Sequence, residues 1–449
     1  NTDFIDNSAG VDTSDHEVNI KVLLAPEVVA GRLPDEERVA LLASMTDEVA
    51  TLVLAHNIDQ NLALSVEQAQ GAALTPAHEA WVRSLEEGGL LDRVLEDLPS
   101  REEMDARIAA GQPLTRPELA TLLAWTKIHL EQEVIASPLP DDPYLADRLV
   151  TYFPKPLRTQ EFADAVQAHP LRREIVTMVT VNRFVNSQGI TAFSRLVAET
   201  SSTVTQIVRA QLAARTIYGV ARHELALADL GLPADVELQV RIALQQMIER
   251  ATRWLLHHRR GELDIKAEAA AFTDGVAEVV SGFGQHATEE QRERLDRGQA
   301  ALKEAGVPEE LAKVTSLANY LHLALSIVDL STRLGRPLET VEQVYFGLAA
   351  GLGLDRVIEG VNALPRTTRW DTMARAALRD DLTSLHSDLV QAILEASPNE
   401  PDGAVALQKW VDAVGGLERV AADVAEVTAE EASLARMSVA LRSIRSLLG

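Results

Sequence analysis

Apolar residues recur along most of this chain at the spacing that places them on one face of an α-helix. The clearest run begins after the segment Leu33-Pro34-Asp35-Glu36, which is typical of a helix start. The apolar members of that run are Val39, Leu42, Met45, Val49, Leu52 and Val53. We therefore predict one long amphipathic helix in this part of the chain.

Helix-start signals punctuate the rest of the sequence. In a capping box, a serine or threonine and a glutamate three residues later each satisfy a backbone N–H of the first helical turn. Such pairs include Ser14 with Glu17, Ser100 with Glu103, Thr115 with Glu118, and Thr428 with Glu431. A further start is predicted at Thr75-Pro76, because proline suits the first helical position.

Strand signals are nearly absent. Only 4% of the residues are aromatic, and no alternating apolar run is bounded by Asn-Gly or Asp-Gly turns. The exception is the opening segment before Ser14, which has the character of a strand end. The predicted fold class is mainly α, with helix over most of residues 15–449.

Prolines interrupt the helical pattern between residues 138 and 156, at positions 138, 140, 143, 154 and 156. Each one removes a backbone donor and disfavours helix in the residue before it. We place a domain joint there. A second break, at residues 397–403, separates the final pair of helices from the rest.

Composition narrows the class of protein. The chain has 42 Lys and Arg residues against 67 Asp and Glu residues, a formal net charge of -25, so a phosphate backbone would be repelled over most of the surface. We expect no nucleic-acid partner. There is no cysteine, which excludes disulfides, thiolate nucleophiles and cysteine-based zinc sites. Polar residues interrupt even the most apolar window, residues 317–330, so no membrane partner is expected.

Near its start the chain reads Asn7-Ser8-Ala9-Gly10-Val11-Asp12-Thr13-Ser14-Asp15-His16-Glu17. This run resembles the Asn-x-Gly-Gly-Val-x-x-Ser-x-x-Glu segment of glutamate dehydrogenases. Together with residues 1–6 and 18–21, it is similar to the version found in the large NAD-specific glutamate dehydrogenases of bacteria. Later stretches look like the C-terminal region of that family, namely residues 114–120, 152–154, 171–175, 249–254 and 370–382.

The resemblance implies roles for four residues. In this family the segment closes the pocket for substrate and nicotinamide, so Asn7 is expected to contact NAD. Val11 and Ser14 are expected to line the pocket for the side-chain carboxylate of L-glutamate. Gly10 is expected to shape a loop that lets backbone approach a ligand closely. The capping box predicts that a helix starts at Ser14, with its free N–H groups near the substrate.

The resemblance also implies a domain organisation. Residues 1–30 would end the NAD-binding and catalytic α/β dehydrogenase domain, and residues 31–137 would complete or brace the catalytic unit. Residues 138–156 would form the proline-rich joint. Residues 157–449 would form an all-α C-terminal domain with a structural, assembly or regulatory role.

The family's substrate-binding lysines, proton-relay aspartate and Gly-rich pyrophosphate turn are expected upstream in the same polypeptide. The parent would be a cytoplasmic, homo-oligomeric enzyme that oxidises L-glutamate to 2-oxoglutarate and ammonium, with NAD bound mainly by those upstream regions. No catalytic residue is expected in this chain, which alone should be inactive. The alternative is a non-catalytic acidic helical interaction or scaffold protein, which has no need of Asn7, Gly10 and Ser14 at this spacing.

Three other motifs favour structural roles. The glycine-rich run at residues 347–353 lacks a following Lys-Ser/Thr pair and lies in an apolar helical context, which favours a helix end and close packing. Adjacent His257 and His258 point away from each other on a helix, so no metal site is expected. Trp254 and Trp370 each follow Thr-Arg, a setting in which we expect core packing with an arginine nearby.

Overall fold

A computed structural model describes residues 1–259, 261–365 and 368–448. The structure is 80% helical, and no strand occurs in these described ranges. The mainly α fold class is therefore confirmed.

The chain divides into two units. Unit 1 comprises residues 1–197 and 202–208, and unit 2 comprises residues 198–201 and 209–449. The α-helices that begin in unit 1 are α1 (Asp3–Asp6), α2 (Ser8–Val29), α3 (Asp35–Ser44), α4 (Thr46–Gln70), α5 (Thr75–Glu87), α6 (Arg101–Ala109), α7 (Arg116–Ile135), α8 (Ala146–Tyr152), α9 (Ala163–Gln167), α10 (Arg172–Gln188), α11 (Ala192–Thr200) and α12 (Val204–Ile217). Those of unit 2 are α13 (Val220–Ala228), α14 (Ala234–His258), α15 (Ile265–His286), α16 (Glu289–Glu304), α17 (Glu309–Leu317), α18 (Leu323–Leu334), α19 (Leu338–Leu352), α20 (Leu354–Ala363), α21 (Arg369–Ala396), α22 (Gly403–Val414), α23 (Leu417–Thr428) and α24 (Leu434–Arg445).

The opening of the chain is helical, so the expected strand end and the expected helix start at Ser14 are both wrong. Helix α2 begins at Ser8, and Ser14 lies inside it. The hydroxyl of Thr13 donates to the carbonyl of Ala9 at 2.7 Å, a bond that forms within a helix. A serine caps only where its own backbone is not yet helical, so Ser14 has no cap to make.

Most of the other predicted helix starts are confirmed, and one is wrong. The capping boxes at Ser100 and Thr115 are confirmed, since each residue's N–H donates to the glutamate three positions on at 2.7 Å. The proline at the start of α5 is also confirmed. The box at Thr428 is wrong, because Thr428 ends α23. The next helix is capped instead by Ser433, which accepts from the N–H of Arg436.

The long amphipathic helix predicted after Leu33 is in fact two helices. Helices α3 and α4 meet at buried Met45, with a bend of 42°. The apolar spacing continues through the bend, so the pattern alone does not reveal it. Within the described residues no single helix is long and apolar enough to cross a membrane, although Asp35–Ser44 with Thr46–Glu87 passes that test as a bent pair.

The proline-rich segment interrupts the helices as expected. Helix α7 ends at Ile135 and α8 begins at Ala146, and short 3-10 helices fill the interval. The whole segment lies within unit 1. The domain divisions drawn from the sequence stay predictions.

The two units have separate apolar cores. In unit 1, α7 packs against α10 and α4, and Leu64, Leu122 and Phe153 are fully buried. In unit 2, α19 packs against α15, α18, α21, α22 and α23. A Cβ at Gly347 of α19 would lie only 2.9 Å from Leu407, which confirms close packing as the role of this glycine.

Candidate functional site

Three residues predicted from the sequence lie on one face at the start of α2. We call Asn7, Val11 and Ser14 the outward stripe, because their spacing of four and three residues aligns them along the helix and all three are exposed. Val11 keeps 72% of its surface exposed. Gly10 lies beside the stripe and is also helical, so the loop expected there is wrong. A Cβ at Gly10 would meet no atom within 4 Å.

The opposite face of α2 is held by polar contacts within unit 1. The side-chain amide of Asn19 donates to the hydroxyl of Tyr152 at 2.9 Å, and that hydroxyl donates to Asp15 at 2.6 Å. The ring of His16 stacks on Tyr152 with centroids 4.5 Å apart. These contacts fix the rotation of α2 about its axis and therefore the direction of the outward stripe.

A cluster of three further side chains joins α2 to α4. The carboxylate of Asp12 lies 2.8 Å from Nδ1 of His56 and 3.7 Å from Nε2 of His16. Burial lowers the pKa of His16 below its usual value. The sequence motifs did not predict this cluster. Its local signal is the spacing of Asp12 and His16 by one helical turn, but His56 lies 44 residues from Asp12 and only the fold brings it close.

Lys127 on α7 interacts electrostatically with Asp12 of this cluster. Burial lowers the pKa of its ammonium group to about 8, against the opposing effect of Glu131, Asp59 and Asp12. Its Nζ donates to the side chain of Gln60 at 3.4 Å. The region behind α2 therefore holds several carboxylates around one partly desolvated ammonium group.

Unit 2 contains a cavity of about 780 Å³ lined by side chains of several of its helices. Buried Trp254 forms part of the wall, with Arg259 5.4 Å from its ring centre, as the sequence predicted for this tryptophan. The same expectation for Trp370 is wrong, because that side chain is 71% exposed. His257 and His258 also line the cavity but point to different partners, Asp380 and the Trp254 carbonyl.

Charged groups gather at one side of the cavity. Arg253 donates to Glu199 and, at 3.2 Å, to Glu249. Burial and the nearby Arg253 lower the pKa of Arg379 to about 10. Burial and the surrounding arginines lower the pKa of His322 to about 3. The cavity therefore has a desolvated wall at which positive charges lie close together.

Comparisons with known proteins identify the family to which this chain belongs. A family profile described as "Bacterial NAD-glutamate dehydrogenase, catalytic domain" matches residues 1–67. A second, "Glutamate dehydrogenase, C-terminal", matches residues 111–446. The two profiles together place the chain in the class of glutamate dehydrogenases. The chain belongs to the bacterial NAD-specific glutamate dehydrogenase family, as the opening motif indicated.

Individual relatives agree with this assignment. The chain is 36% identical over 449 residues to the "NAD-specific glutamate dehydrogenase" of Mycobacterium tuberculosis, which covers 100% of this chain and 28% of the relative. It is 36% identical over 416 residues to the protein of the same name from Pseudomonas aeruginosa, covering 92% of this chain and 26% of the relative. A Halomonas elongata relative is 32% identical over 421 residues. The chain thus spans about a quarter of the length of these relatives.

Proposed function

We propose that this chain works as part of an NAD-dependent glutamate dehydrogenase, which converts L-glutamate, NAD and water to 2-oxoglutarate, ammonium and NADH. The observation that carries the proposal is the outward stripe. Asn7, Val11 and Ser14, the residues that the family motif assigns to cofactor and substrate, lie together on one exposed helix face. In this proposal Asn7 contacts the nicotinamide end of NAD, while Val11 and Ser14 contact the distal carboxylate of glutamate.

Two observations support a covering partner for this face. Val18, which is 50% exposed, lies two helical turns after Val11 on the same face, so the stripe carries two exposed apolar side chains that a partner would bury. The relatives are also about four times as long as this chain. We propose that an upstream part of the same polypeptide, carrying the lysines, the proton-relay aspartate and the pyrophosphate turn, covers the stripe. A cytoplasmic homo-oligomer is the expected setting.

Substitutions at Ser14 in the longer polypeptide test this proposal. Because Ser14 is exposed inside a helix, Ser14→Ala should leave the fold intact. Loss of a hydrogen bond to the substrate carboxylate would cost about 1.5 to 3 kcal/mol, roughly ten- to a hundredfold in kcat/KM for glutamate. Ser14→Asp should reduce activity further, because its carboxylate would repel that of glutamate.

The matched control is Thr13→Ala, which removes a hydroxyl from the neighbouring position. That hydroxyl bonds to its own helix and lies off the stripe, so kcat/KM should not change. Wild-type kcat/KM for glutamate in Ser14→Asp would rule out the substrate contact. The scaffold alternative predicts no loss of activity for any stripe variant.

For unit 2 we infer a regulatory role, rather than a structural role or a role in assembly. Its cavity falls in the size range of small-molecule sites, and Arg379 at its wall is a candidate partner for a carboxylate. Thermal melting of the 449-residue chain with L-glutamate, 2-oxoglutarate or NAD tests this inference. At least one carboxylate should raise the melting temperature of wild type but not of Arg379→Gln. Exposed Arg356→Gln is the control, and the absence of any shift would contradict the inference.

A further inference from the structure

We propose that Asp12, His16 and His56 form a binding site for a divalent transition-metal ion of the zinc type. The proposal does not depend on the function proposed above, since these residues lie on the inward side of α2 and take no part in the outward stripe. They come from two helices, with Asp12 and His16 on α2 and His56 on α4. Nothing in the family descriptions assigns a metal to this region.

The spacing of the donor atoms fits such an ion. One donor atom from each of the three side chains lies within 4.8 Å of the other two. The Asp12 carboxylate is 2.8 Å from Nδ1 of His56 and 3.7 Å from Nε2 of His16. Ligands around tetrahedral zinc, at bonds of about 2.0 to 2.1 Å, are separated by about 3.3 Å. Small side-chain rotations would therefore bring all three to coordination distance.

The strongest indication is the state of His16. Its side chain is fully buried, yet neither Nδ1 nor Nε2 has a hydrogen-bond partner among the described residues. A buried polar atom without a partner is costly, and such atoms are rare in folded proteins. Stacking on Tyr152 holds the ring in place. A metal ion would supply the partner that Nε2 lacks.

The surrounding charges favour a cation. Three carboxylates, those of Asp12, Asp59 and Glu131, act on the ammonium group of Lys127, and a fourth, that of Asp15, acts on His16. Half-exposed His56, whose side chain is 45% accessible, gives an ion a path from solvent.

The donor set also selects the kind of ion. Two imidazoles and one carboxylate suit zinc, nickel, cobalt and copper, whereas magnesium and calcium prefer oxygen ligands alone. A bound ion would tie α2 to α4 and so hold the helix that carries the outward stripe. Three protein ligands would leave a fourth coordination position to water.

Calorimetric titration of the chelator-treated chain with Zn²⁺ tests the proposal. We expect about one bound ion per chain, with affinity reduced at least about tenfold in Asp12→Asn and His56→Ala, because each loses one of three protein ligands. The control is His257→Ala. His257 forms a similar pair with Asp380, at 3.1 Å, but no third ligand completes a metal-binding group there in the described part of the chain.

Cobalt supplies a readout that a general loss of stability would not imitate. Co²⁺ bound by imidazole and carboxylate ligands in a four-coordinate site gives strong visible absorption, which should disappear in His16→Gln and persist in His257→Ala. Circular dichroism checks that each variant is folded. Absence of Zn²⁺ binding by the wild-type chain overturns the proposal whatever the variants do. Binding that survives unchanged in folded His56→Ala and Asp12→Asn overturns it as well.

Discussion

The candidate site residues on α2 of unit 1 and those at the cavity of unit 2 differ in their exposure to solvent. Asn7, Val11 and Ser14 lie on the outside of α2, whereas Arg253, Arg379 and His322 line a cavity. Buried charges need partners inside the fold, and Arg253 has two. Exposed groups are solvated by water, and we propose that a partner from outside this region replaces that water on the outward stripe. We therefore expect substitutions of the buried charges in unit 2 to change mainly stability, and substitutions on the outward stripe to change mainly activity.

The largest expected effect on stability comes from the core that supports α2. Phe153 is fully buried, and Phe153→Ala should lower the free energy of unfolding by about 3 to 5 kcal/mol through lost burial and the cavity left behind. Urea denaturation followed by circular dichroism measures this change. A loss below about 1 kcal/mol would show that Phe153 is less tightly packed than its burial indicates.

A slightly smaller loss is expected from the enclosed charges of unit 2. Glu199→Gln removes one partner of buried Arg253, which should cost about 3 kcal/mol, the lower end for a broken buried pair, because Glu249 still binds the guanidinium. The exposed pair of Glu17 and Lys21 on α2 is the control, and Glu17→Gln should leave stability nearly unchanged. Equal losses in the two variants would remove the contrast between enclosed and exposed charges.

The enclosed histidines of unit 2 should also make stability depend on pH. Burial lowers the pKa of His386 from 6.5 to about 4, and its Nε2 bonds with the Tyr345 carbonyl. The folded chain therefore binds this proton less readily than the unfolded chain. The stabilisation is complete above the unfolded pKa and is lost as pH falls from 6.5 toward 4.

Replacing this histidine should flatten that dependence. His386→Gln should lose less stability between neutral pH and about pH 5 than wild type, as measured by the denaturation midpoint at each pH. His322 has a pKa shifted in the same direction, so part of the slope should remain. An unchanged slope would mean that His386 is protonated as easily in the folded chain as in the unfolded one.

The smallest effect on stability should come from the outward stripe. Val11→Ala removes apolar surface that is already 72% exposed, so the free energy of unfolding of the 449-residue chain should change by no more than about 0.5 kcal/mol. In the longer polypeptide the same change should reduce glutamate turnover. A destabilisation as large as that of Phe153→Ala would place Val11 in the core and contradict the structure.

Sequence patterns predicted the fold class well because helical periodicity and capping are local. The boxes at Ser100 and Thr115 depend only on residues three positions apart, and both form. The box at Ser14 failed because the same local pattern also fits a helix interior once the helix has begun upstream at Ser8. A pattern can identify helix-forming residues more securely than it can identify where the helix begins.

The candidate sites show the same limit. The family motif placed Asn7, Val11 and Ser14 together, and the helix spacing of α2 does put them on one face. His56 joins Asp12 and His16 only through the packing of α2 on α4, and Arg379 meets Arg253 only through the fold of unit 2. Contacts between residues far apart in sequence leave no signal in a single chain.

We propose that one exposed face of α2 contacts both substrate and cofactor. The Michaelis constants of the longer enzyme for glutamate and for NAD test this proposal. Ser14→Ala should raise KM for glutamate about tenfold or more while KM for NAD stays near its wild-type value. Asn7→Ala should do the reverse. This opposite selectivity from two residues on one helix face is the predicted result. Wild-type KM values in both variants, or equal changes for both substrates, would contradict the account.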